Sequence, residues 1–177
     1  MQVFRPYVDW RRSAEVLDDR RLGKQRVECK QVLNAILRKL GLIEDGRRGW
    51  LNHPIVLLYF NDGKPYVSDL VGFFRACVEE WRRRGYSSSI GLDDIAPLLA
   101  RIETTEGTPV TRVHEIEYRR ILLMKDPEHY VRAFPREEVI EVLETGPVFV
   151  SGINGWLFED LKRYRRLAAR LRSVLSS

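Results

Sequence analysis

Cysteine, histidine and methionine are scarce in this chain, and their scarcity argues against several kinds of site. The 177 residues include 2 cysteines, 3 histidines and 2 methionines. Cys29 and Cys77 have no CxxC spacing and lie in apolar, helix-like patterns, so we expect buried thiols rather than a disulfide or a zinc site. No HxH or HExxH spacing joins the histidines, so we expect no bound metal.

Long apolar runs and the common nucleotide-binding motifs are also missing. No signal-like core is present at the amino terminus, and no segment approaches the length of a membrane span. GxxxxGK[ST], GxGxxG and GxSxG do not occur, which argues against P-loop, dinucleotide-binding and serine-hydrolase functions. We therefore expect a cytoplasmic protein with no membrane partner.

Basic residues, in contrast, are plentiful. The chain has 30 lysines and arginines against 25 acidic residues, a formal net charge of +5. Most of these cations are arginines, whose planar guanidinium groups form paired hydrogen bonds with phosphate. The charge favours a nucleic acid as partner, although a heat-adapted or GC-rich genome would also explain the arginines.

Apolar residues recur at helical spacing along most of the chain. A stripe through Leu22, Leu33 and Leu40 predicts a long helix over 18–40. Ser13 is expected to be the N-cap of a short helix that precedes this long helix. Further helices are expected over 53–60, 65–84, 93–99, 114–124 and 156–174, with a loop over 145–155. The sequence predicts a mainly α protein: a compact single-domain bundle around the long N-terminal helix, with an arginine-rich C-terminal helix.

The most informative polar side chains lie within residues 21–28. Arg26 falls on the apolar stripe, where a cation must find a partner or face a cleft. Glu28 lies off the stripe, together with Arg21 and Gln25, on a flank that an ordinary solvated helix would also present. A carboxylate held among cations stays ionised and can stabilise a developing positive charge, so Glu28 is a candidate catalytic residue.

Histidine and aromatic residues near helix ends give weaker signals. His53 begins a predicted helix, where it could cap that helix or contact a ligand. Several aromatic residues stand beside glycine or arginine, where they could stack on exposed bases or simply belong to the core: Trp50, Trp81, Tyr86 and Trp156.

Together these residues resemble the endonuclease V-type pyrimidine-dimer DNA glycosylases, which are small all-α enzymes of base-excision DNA repair. The N-terminal run 1–7 looks more like an uncharacterised cellular branch of that family than like the phage enzyme. The resemblance covers residues 1–134 and leaves 135–177 as an extension; it rests on residues 22–28, on His53 leading an apolar helix, on 84–86 and on 125–130.

The resemblance implies a specific chemistry without a cofactor. In the family the α-amine of the first residue attacks the sugar C1′ and forms a Schiff base. An α-amine ordinarily has a pKa near ~8, so part of it is neutral at physiological pH. Since Gln2 is too large for normal methionine excision, we expect Met1 to be retained as the nucleophile. Glu28 matches the essential glutamate, which would stabilise the cationic sugar and assist proton transfers.

The resemblance also implies phosphate contacts along a kinked duplex. Val27 and Gln31 replace residues that are usually basic in the family, which leaves the lesion less certain than the amine chemistry. The expected partner is damaged double-stranded DNA, bound by a nucleoid-associated monomer. The expected DNA-binding residues are Arg21, Lys24, Arg26, Lys30, His53, Arg119, Arg120 and Lys125.

Three hypotheses about function remain open at this point. The first is a glycosylase with abasic-site lyase activity on pyrimidine dimers or, alternatively, on an oxidised, deaminated or modified pyrimidine. The second is a nucleic-acid-binding module without catalysis, whose binding would depend steeply on salt. The third is a monofunctional glycosylase in which Glu28 or Asp19 activates water.

Overall fold

The computed structural model describes residues 1–176, and every regular element within them is helical. The predicted mainly α class is confirmed. None of the described helices is both long and apolar enough to cross a membrane. The α-helices are α1 Trp10–Val16, α2 Asp19–Lys39, α3 Pro54–Phe60, α4 Val67–Arg83, α5 Ala96–Leu99, α6 Arg112–Lys125, α7 Pro127–Ala133, α8 Arg136–Glu144, α9 Gly155–Glu159 and α10 Leu161–Ser176, with a short 3-10 helix at Asn61–Gly63.

The chain divides into two compact units. The first contains Met1–Phe4 and Asp9–Pro109, and the second contains Arg5–Val8 and the chain from Val110 onward. The single domain expected from the sequence stays a prediction.

The core of the first unit forms where α2 packs against α4 and α3, and where α1 packs against α4. The predicted apolar stripe of α2 is buried, since Leu22, Cys29 and Leu33 are all 0% exposed. Asp18 begins this helix by accepting a hydrogen bond from the backbone amide of Arg21 at 3.0 Å. Cys29 and Cys77 are both buried, as expected.

The prediction that Ser13 caps a helix is wrong. The helix α1 begins at Trp10, three residues before Ser13. Its N-cap is Asp9, whose carboxylate accepts a hydrogen bond from the Arg12 amide at 2.7 Å. Ser13 lies inside the helix and is fully buried. A carboxylate caps a helix as well as a hydroxyl does, and here it stands just before Trp10, the first helical residue.

The second unit is built by contacts of α6 with α7 and α8, and of α8 with α10. Sequence patterning missed α8, where charged residues separate the buried Val139, Val142 and Leu143. The predicted terminal helix is interrupted at Asp160, whose backbone (φ −135°, ψ 55°) is not helical, so it forms α9 and α10.

Candidate functional site

The start of the chain is attached to α2 through one buried side chain. The backbone amide of Phe4 donates to the Gln25 side-chain oxygen at 2.8 Å. The Gln25 side-chain nitrogen in turn donates to the backbone oxygen of Gln2 at 3.2 Å. Gln25 is fully buried, and its two hydrogen bonds fix the position of the first residues.

The same arrangement brings the amino terminus to Glu28. The backbone amide of Gln2 donates to Glu28 Oε2 at 3.3 Å, and the Gln25 side-chain nitrogen lies 3.4 Å from the same oxygen. Gln25 and Glu28 share a helix face because they are three residues apart. Met1 is joined directly to the Gln2 nitrogen, so its α-amine is held within one residue of a carboxylate.

His53 lies in the electrostatic neighbourhood of the same amine. Burial lowers the pKa of His53 below its ordinary value, and the positive charge of the chain terminus lowers this pKa further. The Nδ1 atom accepts a hydrogen bond from the Ile55 amide at 3.2 Å and so caps α3. An acceptor nitrogen must carry no proton, so both effects favour the neutral imidazole.

An exposed indole stands beside this imidazole. The rings of Trp50 and His53 meet edge to face, with centroids 5.4 Å apart. Trp50 is 55% exposed and has φ +69°, a left-handed conformation that is costly for a bulky residue. Strained backbone conformations cluster at active sites and ligand contacts, so Trp50 is a candidate contact residue.

The four cations predicted on α2 have different environments. Arg21 is paired with Asp18, and Lys30 with the exposed Asp94 at 2.7 Å. Lys24 is exposed and forms no ion pair within residues 1–176. Exposed pairs such as that of Lys30 contribute little to stability, so a phosphate could replace the carboxylate at small cost.

Arg26 is the buried member of this group. It is 8% exposed; its guanidinium lies 4.2 Å above the Trp81 ring and donates to the Ser88 hydroxyl at 2.6 Å. The sequence required a partner or a cleft for a cation on this stripe, and the structure supplies an aromatic partner. Trp81 also stacks on Tyr86, with centroids 4.2 Å apart, so these two aromatic residues have packing roles.

Arg119 and Arg120, which are also predicted to bind DNA, are buried residues. They are 1% and 0% exposed in the second unit. Arg119 donates to the backbone oxygen of Pro6 at 3.0 Å, and Arg120 donates to the Glu117 carboxylate at 3.1 Å. Buried cations that already satisfy buried acceptors cannot contact a phosphate without opening the packing, so we exclude both from the DNA-contacting set.

The remaining cation predicted to bind DNA keeps an exposed position. Lys125 is exposed at the end of α6, with its ammonium 5.0 Å from the Trp156 ring. Within residues 1–176, no three histidine, cysteine or acidic side chains are grouped so that they could hold a metal ion.

Comparison with known proteins identifies the family. Residues 1–94, just over half of the 177-residue chain, match the family model described as pyrimidine dimer DNA glycosylase. This segment includes Gln25, Glu28 and His53. No curated protein and no solved structure matches the chain. The chain therefore belongs to the pyrimidine dimer DNA glycosylase family.

Proposed function

We propose that this protein is a bifunctional repair enzyme, which removes a damaged pyrimidine from duplex DNA and then cleaves the strand at the abasic site. Its family supports glycosylase activity on DNA, with pyrimidine dimers as the leading substrate. The observation that supports the lyase step is the 3.3 Å contact of the Gln2 amide with Glu28, which leaves the neighbouring amine beside a carboxylate.

The first step is a substitution at the sugar. The neutral α-amine of Met1 attacks C1′, a carbon–nitrogen bond forms, and the bond to the base breaks with its electron pair leaving on the base. The amine gives up a proton and the sugar ring oxygen gains one as the ring opens to the cationic Schiff base. The Glu28 carboxylate stabilises this positive charge and relays the protons.

Strand cleavage follows by β-elimination. Loss of a C2′ proton moves an electron pair into the C2′–C3′ bond, and the C3′–oxygen bond breaks with the phosphate as leaving group. Water then hydrolyses the Schiff base and frees the amine. The lowered pKa of His53 favours the neutral imidazole, so His53 adds no second positive charge near the cationic Schiff base.

Access to C1′ requires that a nucleotide leave the stack. The proposed contact surface lies in the first unit and combines the exposed Lys24 and Trp50 with the partly exposed Lys30 and His53. The cations would hold phosphates, and the indole would occupy space between bases.

Borohydride trapping tests the lyase step. Incubation with duplex containing an abasic site and borohydride should give a covalent adduct, whose peptide mass places the modification on residue 1. Glu28→Gln should slow strand cleavage by about 10²-fold or more. The matched control is Glu44→Gln, an exposed acid of the same unit, which should leave the rate unchanged.

Two outcomes would favour the alternative hypotheses. Base release without an adduct or strand cleavage would indicate a monofunctional glycosylase that uses water. Binding without base release would indicate a non-catalytic module. A residue fused before Met1 separates the cases further, since it should abolish cleavage and leave binding intact. Duplexes that carry dimers, oxidised pyrimidines or deaminated pyrimidines would then identify the lesion.

A further inference from the structure

The last helix is strongly basic and lies outside the segment that matches the family. Its sequence, LKRYRRLAARLRSVLS, contains lysine and arginine but no acidic residue. Its apolar face is in use, because Tyr164, Ala168 and Leu171 are 7%, 3% and 4% exposed. These three residues form one stripe at spacings of three and four residues.

Four cations lie on the face opposite that stripe, and we call them the α10 cationic row: Lys162, Arg163, Arg166 and Arg170. All four are exposed. At about 1.5 Å per residue, Lys162, Arg166 and Arg170 succeed one another every ~6 Å along the helix. The row therefore presents a line of positive charge ~12 Å long.

No carboxylate neutralises the row within residues 1–176. Two arginines elsewhere show what such pairing looks like: Arg38 pairs with Asp45 at 2.7 Å, and Arg112 pairs with Glu141. The acid nearest to the row in sequence is Asp160, whose carboxylate accepts a hydrogen bond from the backbone amide of Arg163 at 3.1 Å. Like charges four residues apart repel each other, so the row is a feature that a polyanion would stabilise.

We propose that the α10 cationic row is a second DNA-binding surface, which contacts the phosphates of duplex DNA without regard to sequence or lesion. A membrane surface fits less well, since a basic helix binds lipid through its apolar face, and here that face is buried in the protein. The proposal uses the DNA substrate of the family and is independent of the amine chemistry.

Salt-dependent binding to undamaged duplex tests the proposal. The full-length triple variant Arg163→Gln, Arg166→Gln and Arg170→Gln is compared with the unaltered protein by fluorescence anisotropy over a series of salt concentrations. Each phosphate contact contributes about 0.9 to the slope of log K against log[salt], so the slope should fall by up to about 2.7. Binding should weaken at least tenfold at low salt.

The control removes the same charge from scattered sites. Arg75, Arg101 and Arg132 are exposed and form no ion pair within the described residues, and their replacement by glutamine should change the slope by less than about 1. Equal effects of the two triple variants would overturn the proposal, because net charge alone would explain them. An unchanged slope in the α10 variant, or loss of binding only to anionic lipid vesicles, would overturn it as well.

A failure of this proposal is distinguishable from a failure of the proposed function. Borohydride adduct formation at saturating protein measures the site on α2, and the α10 triple variant should retain it. Binding to undamaged duplex measures the row, and it can be followed even if no adduct forms.

Discussion

The backbone amide of Phe4 donates a 2.8 Å hydrogen bond to the side-chain oxygen of Gln25, a residue 21 positions later in the chain. The Gln25 side chain uses its nitrogen on Gln2 and Glu28, so one buried amide joins the terminal segment to the carboxylate. The amine proposed as nucleophile is thus positioned by a residue that also contacts the proposed catalytic carboxylate.

Replacing Gln25 with leucine should therefore lower both stability and activity. The Phe4 amide would lose its buried partner, which costs about 1–3 kcal/mol of the free energy of unfolding. The terminal segment would also lose its attachment, so the single-turnover rate of cleavage at abasic sites should fall by about 10-fold or more at saturating protein. Gln31→Leu, at an exposed position of the same helix, is the control. Equal losses in the two variants would contradict the positioning role.

The long helix and its buried face could be predicted because they depend on local spacing. The structure ends α2 within one residue of the predicted limits, 18–40, and buries Leu22 and Leu33 as expected. The role of Gln25 could not be derived in this way, since its partners are 21 and 23 residues away. A polar residue three positions after a core leucine was the only signal.

The burial of basic residues could not be read from the sequence. The family resemblance predicts Arg119 and Arg120 at the DNA, but the structure places them among carboxylates contributed by Glu117 and Glu141. The Arg119–Glu141 pairing joins residues 22 positions apart and has no local signature, whereas Glu117 and Arg120 are only three residues apart on one helix. In contrast, the environment of Arg26 was indicated by its position on an apolar stripe, which required a partner.

The titration of His53 predicts a loss of stability in acid. Burial and the charge of the chain terminus hold the pKa of His53 below its ordinary value. Between the folded and unfolded pKa values, the unfolded chain binds more protons, so the free energy of unfolding rises with pH. The contribution of His53 is complete above pH ~6.5 and is lost as the pH falls through the folded pKa.

Urea unfolding between pH 5 and pH 8 measures this loss. This range extends about 1.5 units on either side of an ordinary histidine pKa. Because the pKa of His114 is also lowered by burial, the His53 contribution is obtained as the difference between the unaltered protein and His53→Asn. Asparagine keeps a helix cap and does not titrate, so the variant should lose less stability in acid. Identical pH profiles for the two proteins would show that His53 is not responsible.

The exposed indole of Trp50 should contribute to lesion recognition. Replacement by alanine should leave the melting temperature nearly unchanged, because the ring is 55% exposed. It should raise the free-energy barrier for processing a damaged base by about 1–3 kcal/mol, the range measured when an aromatic stacking partner is removed. A preformed abasic site should be affected less, since no base has to be extruded.

Two variants make the Trp50 measurement decisive. Trp50→Phe keeps an aromatic face and should restore most of the activity on damaged bases. Phe149→Ala removes an aromatic residue that is 60% exposed in the second unit, and it should have no such effect. If both alanine variants lose the same activity, the effect is not specific to the site beside His53.

Arg84 is the last of three consecutive arginines at 82–84, and it joins the ends of three helices in the first unit. Its side chain is 19% exposed and donates to Leu17 O and Asp19 Oδ1, both at 2.8 Å, where α1 ends and α2 begins. It also donates to the Glu80 carboxylate at 2.7 Å. Hydrogen bonds from Tyr86 and Arg84 hold the pKa of Asp19 below its usual value. A cation at the C-terminal end of α4 is favoured by the helix dipole, but the hydrogen bonds of Arg84 show that it has a further role.

Replacing Arg84 with lysine should be costly although the charge is kept. A single ammonium cannot reach the several acceptors that the planar guanidinium contacts, so buried backbone oxygens would lose their donors. We expect the free energy of unfolding to fall by about 2–4 kcal/mol. The neighbouring Arg82 is exposed, and Arg82→Lys should change stability by no more than about 0.5 kcal/mol. Urea unfolding followed by tryptophan fluorescence compares the two; equal stability would mean that charge at the end of α4, rather than the fork of Arg84, is what matters.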